Sequence, residues 1–160
     1  MNQHAREDGF SLIEVMVAMV ISGIALMGAM GAVQISSRHV QDGITAGRAL
    51  TLAQTRLEAK RSVRWESLLE DDLDHDGIPD VFMKDDGQGN DVLAGDGIFT
   101  ASSDRDGIKL VWTVEADRPG PLSVAGSVAI LAVASYTGPR GLRDVRIGTL
   151  RANPMFVGAR

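Results

Sequence analysis

Residues 9–33 read GFSLIEVMVAMVISGIALMGAMGAV, and this apolar run decides the fold. From Phe10 to Val33, the only ionisable side chain among 24 residues is that of Glu14. As a helix rising about 1.5 Å per residue, the run would be about 36 Å long, enough to cross a hydrocarbon core of about 30 Å. Because lipid offers the backbone no hydrogen-bond partners, a helix is the expected form. The sequence therefore predicts an N-terminal membrane-spanning helix.

A cleaved secretory signal peptide is the alternative interpretation of this run. The apolar region of such a peptide is ordinarily about 7–15 residues long and leads to an A-x-A-like cleavage site. Here the run is longer and no such site ends it. We therefore expect the apolar helix to be retained in the mature protein.

Glu14 is not explained by a simple membrane anchor. A carboxylate in a bilayer costs at least about 2–3 kcal/mol and normally has a partner. Glu14 lies one helical turn after Phe10, on the same helix face. A carboxylate this close to the end of the run can also reach the membrane interface and have no role.

The segment GFSLIEVMVA, residues 9–18, resembles the type IV prepilin signature, in which G-F-[ST]-L-I-E precedes an apolar helix. The resemblance implies that residues 1–9 are a leader peptide and that prepilin peptidase cleaves between Gly9 and Phe10. It implies N-methylation of Phe10 and a role for Glu14 in subunit assembly, where it pairs with the N-terminal amine of a neighbouring subunit. Such a pair would give the carboxylate the partner that it needs. The leader departs from the family because it carries no net positive charge.

An amphipathic pattern follows the apolar run. Leu50, Ala53 and Leu57 recur at three- and four-residue spacing, with polar residues on the other faces. No proline precedes Pro79, so the sequence predicts one helix from Ser11 to about Arg64.

The C-terminal third is predicted to form strands. Ile108–Ala116, Val124–Tyr136 and Leu142–Leu150 are apolar or alternating runs separated by turn clusters. They predict an antiparallel meander that covers the amphipathic part of the helix, with Trp112 and Tyr136 as packing residues. The fold class is therefore α+β, a long N-terminal helix on a small antiparallel sheet, which is the lollipop shape of pilins.

Both ends of the chain carry the resemblance. Residues 124–153, with the turn GPRG and the strand RDVRIGTLRAN, resemble the end of PilV-like minor pilins and GspI-like pseudopilins, and so does TLAQTRLEAK at residues 51–60. The resemblance implies a minor pilin of the type IV pilus, held in the bacterial inner membrane by lipid contacts. Its globular part would be periplasmic, and assembly with other pilin subunits would place it in a pilus on the cell surface. A minor pseudopilin of type II secretion is the close alternative.

The segment between helix and strands is strongly acidic. Residues 70–106 contain twelve acidic side chains against two basic ones, and the sequence DLDHDGIPD at 72–80 places carboxylates at positions 1, 3, 5 and 9 of a tight loop. Such oxygen ligands favour Ca²⁺, and DHDGIPD resembles the calcium repeats of thrombospondin-type and bacterial outer-surface proteins. Met83 replaces the EF-hand glutamate at position 12, so Asp85 or Asp86 would have to substitute. The predicted ligands are Asp72, Asp74, Asp76, the Ile78 carbonyl and Asp80.

Two shorter Asp/Gly fragments, residues 85–91 and 104–107, are weaker candidates for the same ion. Asp, Asn and Gly are also common turn formers, and unneutralised carboxylates favour disorder. A membrane-anchored calcium-binding or adhesive module is thus a second alternative function.

Composition excludes several other functions. The chain has no cysteine, which rules out disulfides and thiolate metal sites. A net charge of −5 disfavours direct nucleic-acid binding. No nucleophile elbow, P-loop or dinucleotide fingerprint is present. The sequence therefore predicts a protein that is not an enzyme and requires no cofactor.

The predicted organisation has five parts. They are a leader at 1–9, a transmembrane and assembly half of the helix at 10–33, an amphipathic half at 34–66, an acidic insertion at 67–107 and a β-sheet region at 108–160.

Overall fold

A computed structural model of the chain describes residues 11–74, 76–139 and 141–156. In these residues a long helix precedes six strands, and the chain divides into two compact units, Met1–Gln41 and Asp42–Arg160. The predicted α+β class, a long N-terminal helix packed on antiparallel sheet, is confirmed. The elements are α1 (Leu12–Ser62), β1 (Glu70–Asp71), β2 (Val81–Phe82), β3 (Ile98–Arg105), β4 (Ile108–Ala116), a 3₁₀ turn (Leu122–Val124), β5 (Ser127–Gly138) and β6 (Gly141–Ala152).

Helix α1 is continuous over its 51 residues, as the absence of proline predicts. It begins where the Ser11 carbonyl accepts hydrogen bonds from the amides of Glu14 and Val15, at 3.0 and 3.2 Å. Lys60 and Arg61 lie in its last turn, where positive charge is favoured by the helix dipole.

The main sheet is an antiparallel meander in the order β3-β4-β5-β6. The three predicted strands are present as β4, β5 and β6. The sheet has a fourth strand, β3, which lies within the segment predicted as an acidic insertion. The sequence of β3, IFTASSDR, ends in polar residues and carries little strand signal of its own. Its register with β4, from Ile98↔Glu115 to Arg105↔Ile108, is provided by a tight turn at Asp106-Gly107. Both turn residues have positive φ, 55° and 74°, which suits this hairpin geometry.

The core lies on one face of this sheet. Buried positions alternate along β4 and β5, as expected for strands with one covered face. Trp112 is fully buried at the centre of β4 and is paired with Ala132 of β5. Helix α1 contributes Ala49 and Ala53, whose small side chains permit close approach. Leu50, predicted to lie on the same helix face as Ala53 and Leu57, is instead exposed.

A buried carboxylate connects the helix to the strands. Asp71 of β1 is 3% exposed, and it lies 2.8 Å from both Lys60 Nζ and Arg56 Nη1 of α1. It also accepts a hydrogen bond of 2.7 Å from the indole N–H of Trp112. The Lys60 ammonium additionally donates to the carbonyls of Leu68 and Glu70.

Burial and the neighbouring charges act in opposite directions on the pKa of Lys60. Burial lowers the pKa of Lys60 below its ordinary value, and the neighbouring Asp71 carboxylate opposes that shift. The nearby Arg56 charge also lowers the pKa of Lys60, and the Glu70 charge raises it.

We predict that Asp71→Asn lowers the free energy of unfolding by about 3–5 kcal/mol, because it leaves buried cations without their counter-charge. Asp106→Asn is the matched control, since its ion pair with Arg48 is exposed and should be worth less than about 1 kcal/mol. Urea unfolding of the detergent-solubilised chain, followed by tryptophan fluorescence, measures both. Equal effects of the two substitutions would contradict a structural role for the buried pair.

Candidate functional site

The N-terminal half of α1 presents an apolar surface on all sides. Within the described residues, the first helical stretch contains large apolar side chains that are mostly more than half exposed. These are Leu12, Ile13, Val15, Met16, Val17, Met19, Val20, Ile21, Ile24, Leu26, Met27, Met30 and Val33. Soluble monomers rarely expose so large an apolar area, so this surface requires lipid or neighbouring helices. By length and composition α1 is long and apolar enough to cross a membrane.

Glu14 lies in the first turn of α1, exposed among these apolar residues. Helix geometry places Ala18 on the same face one turn later, so the carboxylate projects from an otherwise apolar surface. Gly9 and Phe10, the predicted cleavage and methylation residues, lie outside the described residues. The structure therefore shows the position of Glu14 but not that of the predicted N-terminal amine.

The loop predicted to bind calcium brings three of its five predicted ligands together. One carboxylate oxygen each of Asp72, Asp74 and Asp80 lies within 4.8 Å of the others. Asp76 is not in this group, and its Oδ1 accepts a hydrogen bond of 2.8 Å from the Ile78 amide. These residues also accept backbone hydrogen bonds, as turn-forming aspartates do. Calcium at this loop stays a prediction.

A second carboxylate group forms between β2 and β3. It combines Asp85 and Asp91, from the weaker fragment at 85–91, with Asp96, which the sequence-based prediction does not include. The sequence feature that could have revealed this group is the set of glycines around it, at 87, 89, 95 and 97. In the structure all four have positive φ. The other weak fragment, 104–107, provides the turn between β3 and β4.

Comparison with known proteins supports the interpretation of the N-terminus. Residues 4–30 match the family described as "Prokaryotic N-terminal methylation motif". The matched range includes Gly9, Phe10 and Glu14, and it indicates a type IV pilin-like or pseudopilin protein, a structural rather than an enzymatic class. The motif implies processing by prepilin peptidase and assembly with other pilins, and with the apolar helix it fits an inner-membrane anchor. No curated protein and no solved structure was found to match the chain.

We predict that Ile21→Arg prevents stable membrane integration, because a cation at the centre of a spanning helix costs about 2.5–3.5 kcal/mol or more. Val40→Arg is the control: Val40 is similarly exposed on the same helix, 59% against 62%, but lies beyond the predicted span. Carbonate extraction of membranes should release much of the first variant and little of the second. Retention of both variants would show that residues 10–33 do not cross the bilayer.

Proposed function

We propose that this chain is a minor subunit of the type IV pilus, held in the bacterial inner membrane until it is built into, or primes, a filament. The observation that carries the proposal is the overlap of the methylation motif, matched at residues 4–30, with the exposed apolar start of α1. A plain membrane anchor needs the helix but not the motif.

Assembly rests on the chemistry at the start of the helix. Cleavage after Gly9 would create a positively charged amine on Phe10, four residues before Glu14 in the sequence. In the membrane, neither the amine nor the carboxylate has water to solvate it, so each favours pairing with its opposite on a neighbouring subunit. The apolar side chains around Glu14 would then exchange lipid contacts for contacts with neighbouring helices.

The unit Asp42–Arg160 supplies the globular part, which we place in the periplasm before assembly and on the cell surface afterwards. It requires no catalytic centre for this role. Its sheet and the second half of α1 form the compact unit that would enter the filament with the N-terminal helix.

A minor pseudopilin of type II secretion would use the same leader, methylation and helix. Deleting the gene in its native bacterium separates the two functions: loss of surface pili supports the pilus role, whereas loss of protein secretion with normal pili supports the pseudopilin. A membrane-anchored calcium-binding or adhesive module, the third possibility, would keep its activity when cleavage after Gly9 is blocked.

We predict that the mature membrane form begins at an N-methylated Phe10. Mass spectrometry of the purified protein should find this N-terminus, while Gly9→Leu should leave residues 1–9 attached. A membrane form that retains the leader in the wild-type chain would remove the basis for the pilin proposal.

We predict that Glu14→Val inserts into the membrane and is cleaved normally but is not incorporated into filaments, because the substitution removes the partner of the N-terminal amine. Met16→Val, two residues away, changes side-chain shape without removing a charge and should be incorporated. Immunoblots of sheared filaments and of membranes measure both steps. Normal incorporation of Glu14→Val would assign the carboxylate to the membrane interface, with no role in assembly.

A further inference from the structure

We propose that Asp85, Asp91 and Asp96 form a calcium site, separate from the predicted loop at 72–80. The three residues lie on the connection between β2 and β3, and one carboxylate oxygen of each is within 4.8 Å of the other two. The inference does not depend on the pilin function.

Backbone amides hold the three side chains in place. Asp85 accepts hydrogen bonds from the amides of Gly95, Asp96 and Gly97. These bonds hold the start of the connection, just after β2, against its end, just before β3. Asp91 Oδ2 accepts a hydrogen bond of 2.6 Å from Gly87. Asp96 Oδ1 accepts one of 2.9 Å from Ile98, the first residue of β3. The carboxylates are therefore fixed before any ion arrives, which lowers the entropy lost on binding.

An unpaired buried oxygen indicates a ligand at this point. Asp91 is only 7% exposed, yet its Oδ1 has no hydrogen-bond partner among the described residues. A buried anionic oxygen without a partner is strongly unfavourable. Because one carboxylate oxygen of Asp91 lies within 4.8 Å of an oxygen of each of the other two, a cation held by the group would neutralise this buried carboxylate.

No side chain supplies that positive charge. In residues 11–74, 76–139 and 141–156, none of the three carboxylates forms an ion pair with a lysine or arginine. By contrast, the other strongly buried aspartate, Asp71, is paired with two cations. The group thus has the anionic charge of a metal site and lacks the counter-charge of a structural ion-pair network.

The donor set favours Ca²⁺ over other common ions. All three ligands are hard carboxylate oxygens, with no histidine or cysteine to attract zinc or copper. Mg²⁺ demands a near-ideal octahedron and gives up water reluctantly, whereas Ca²⁺ accepts irregular sets of six to eight oxygens completed by carbonyls and water. With three carboxylates, we expect an affinity in the range of extracellular modules, with Kd about 10⁻⁴–10⁻³ M.

Calorimetric titration of the full chain in detergent with CaCl₂ tests the site. We expect wild-type protein to bind Ca²⁺ and to bind Mg²⁺ at least about tenfold more weakly. Asp91→Asn and Asp96→Asn should each weaken Ca²⁺ binding by at least about tenfold, through loss of a charged ligand. Glu115→Gln is the control, because Glu115 is an exposed carboxylate of β4 that belongs to neither carboxylate group.

A second measurement uses thermal unfolding and separates ion binding from a merely structural role. Asp91→Asn would remove a buried negative charge that lies beside two other carboxylates, so in EDTA this variant should be at least as stable as wild type. At a Ca²⁺ concentration about 100 times Kd, wild type should gain about 5–10 °C in Tm, and Asp91→Asn much less. If Asp91→Asn prevents folding, Asp96→Asn carries the same comparison.

Asp74→Asn distinguishes the two acidic loops. Under the proposal, the calcium-dependent heat and Tm shift at residues 85–96 survive this substitution. Loss of both signals in Asp74→Asn, with both retained in Asp91→Asn, would place the ion at the loop 72–80 and overturn the proposal. Absence of any Ca²⁺ response in wild-type protein would overturn it as well.

Discussion

The globular unit depends on one buried negative charge. The Asp71 carboxylate is in contact with two cations of α1 and with the indole of Trp112 at the centre of the sheet. The Arg56 guanidinium also lies 4.7 Å from the centroid of the Trp112 ring, within range of a cation–π interaction. Because a buried charge tolerates little displacement from its partners, these contacts fix how far along the sheet the helix lies, which the small side chains Ala49 and Ala53 alone would not do.

A second set of polar contacts closes the end of the helix. The Arg151 guanidinium of β6 donates to the carbonyls of Lys60 and Val63, which have no partner within the helix. It lies over the ring of Trp65, whose indole N–H bonds to the carbonyl of Leu122. Polar side chains thus define both the position of α1 and its end, while apolar burial supplies the general driving force.

Much of this architecture follows from local sequence patterns. The apolar run, the absence of proline and the alternation in β4 predict the helix and the strands correctly, because each is a repeating signal within one segment. The pairing of Lys60 with Asp71 leaves no such signal: one looks like an ordinary basic residue at a helix end and the other like part of a solvated acidic run. Strand β3 escapes prediction for the same reason, since its stability comes from β4 rather than from its own residues.

Of the candidate sites, too, one is predicted by a local sequence pattern and another is not. Gly9, Phe10 and Glu14 are recognisable because all three belong to one short motif, residues 9–14, and the family match covers that motif. The group of Asp85, Asp91 and Asp96 is assembled by a glycine-rich connection that folds back on itself, and the spacing of its members matches no familiar loop. From the sequence alone, the acidic residues look like one acidic insertion. In the structure they belong to a buried ion pair, two carboxylate groups and a hairpin turn.

The position of Arg151 and Asn153 near the end of the chain sets the order in which the molecule can be completed. Asn153 is fully buried and bonds to the carbonyl of Ala125, and Arg151 reaches back across 91 and 88 residues to the end of α1. Helix α1 precedes all the described strands in sequence, yet its end is closed by β6, the last of them. The unit Asp42–Arg160 therefore cannot be completed until β6 has paired with β5, because only then do Arg151 and Asn153 reach their backbone partners.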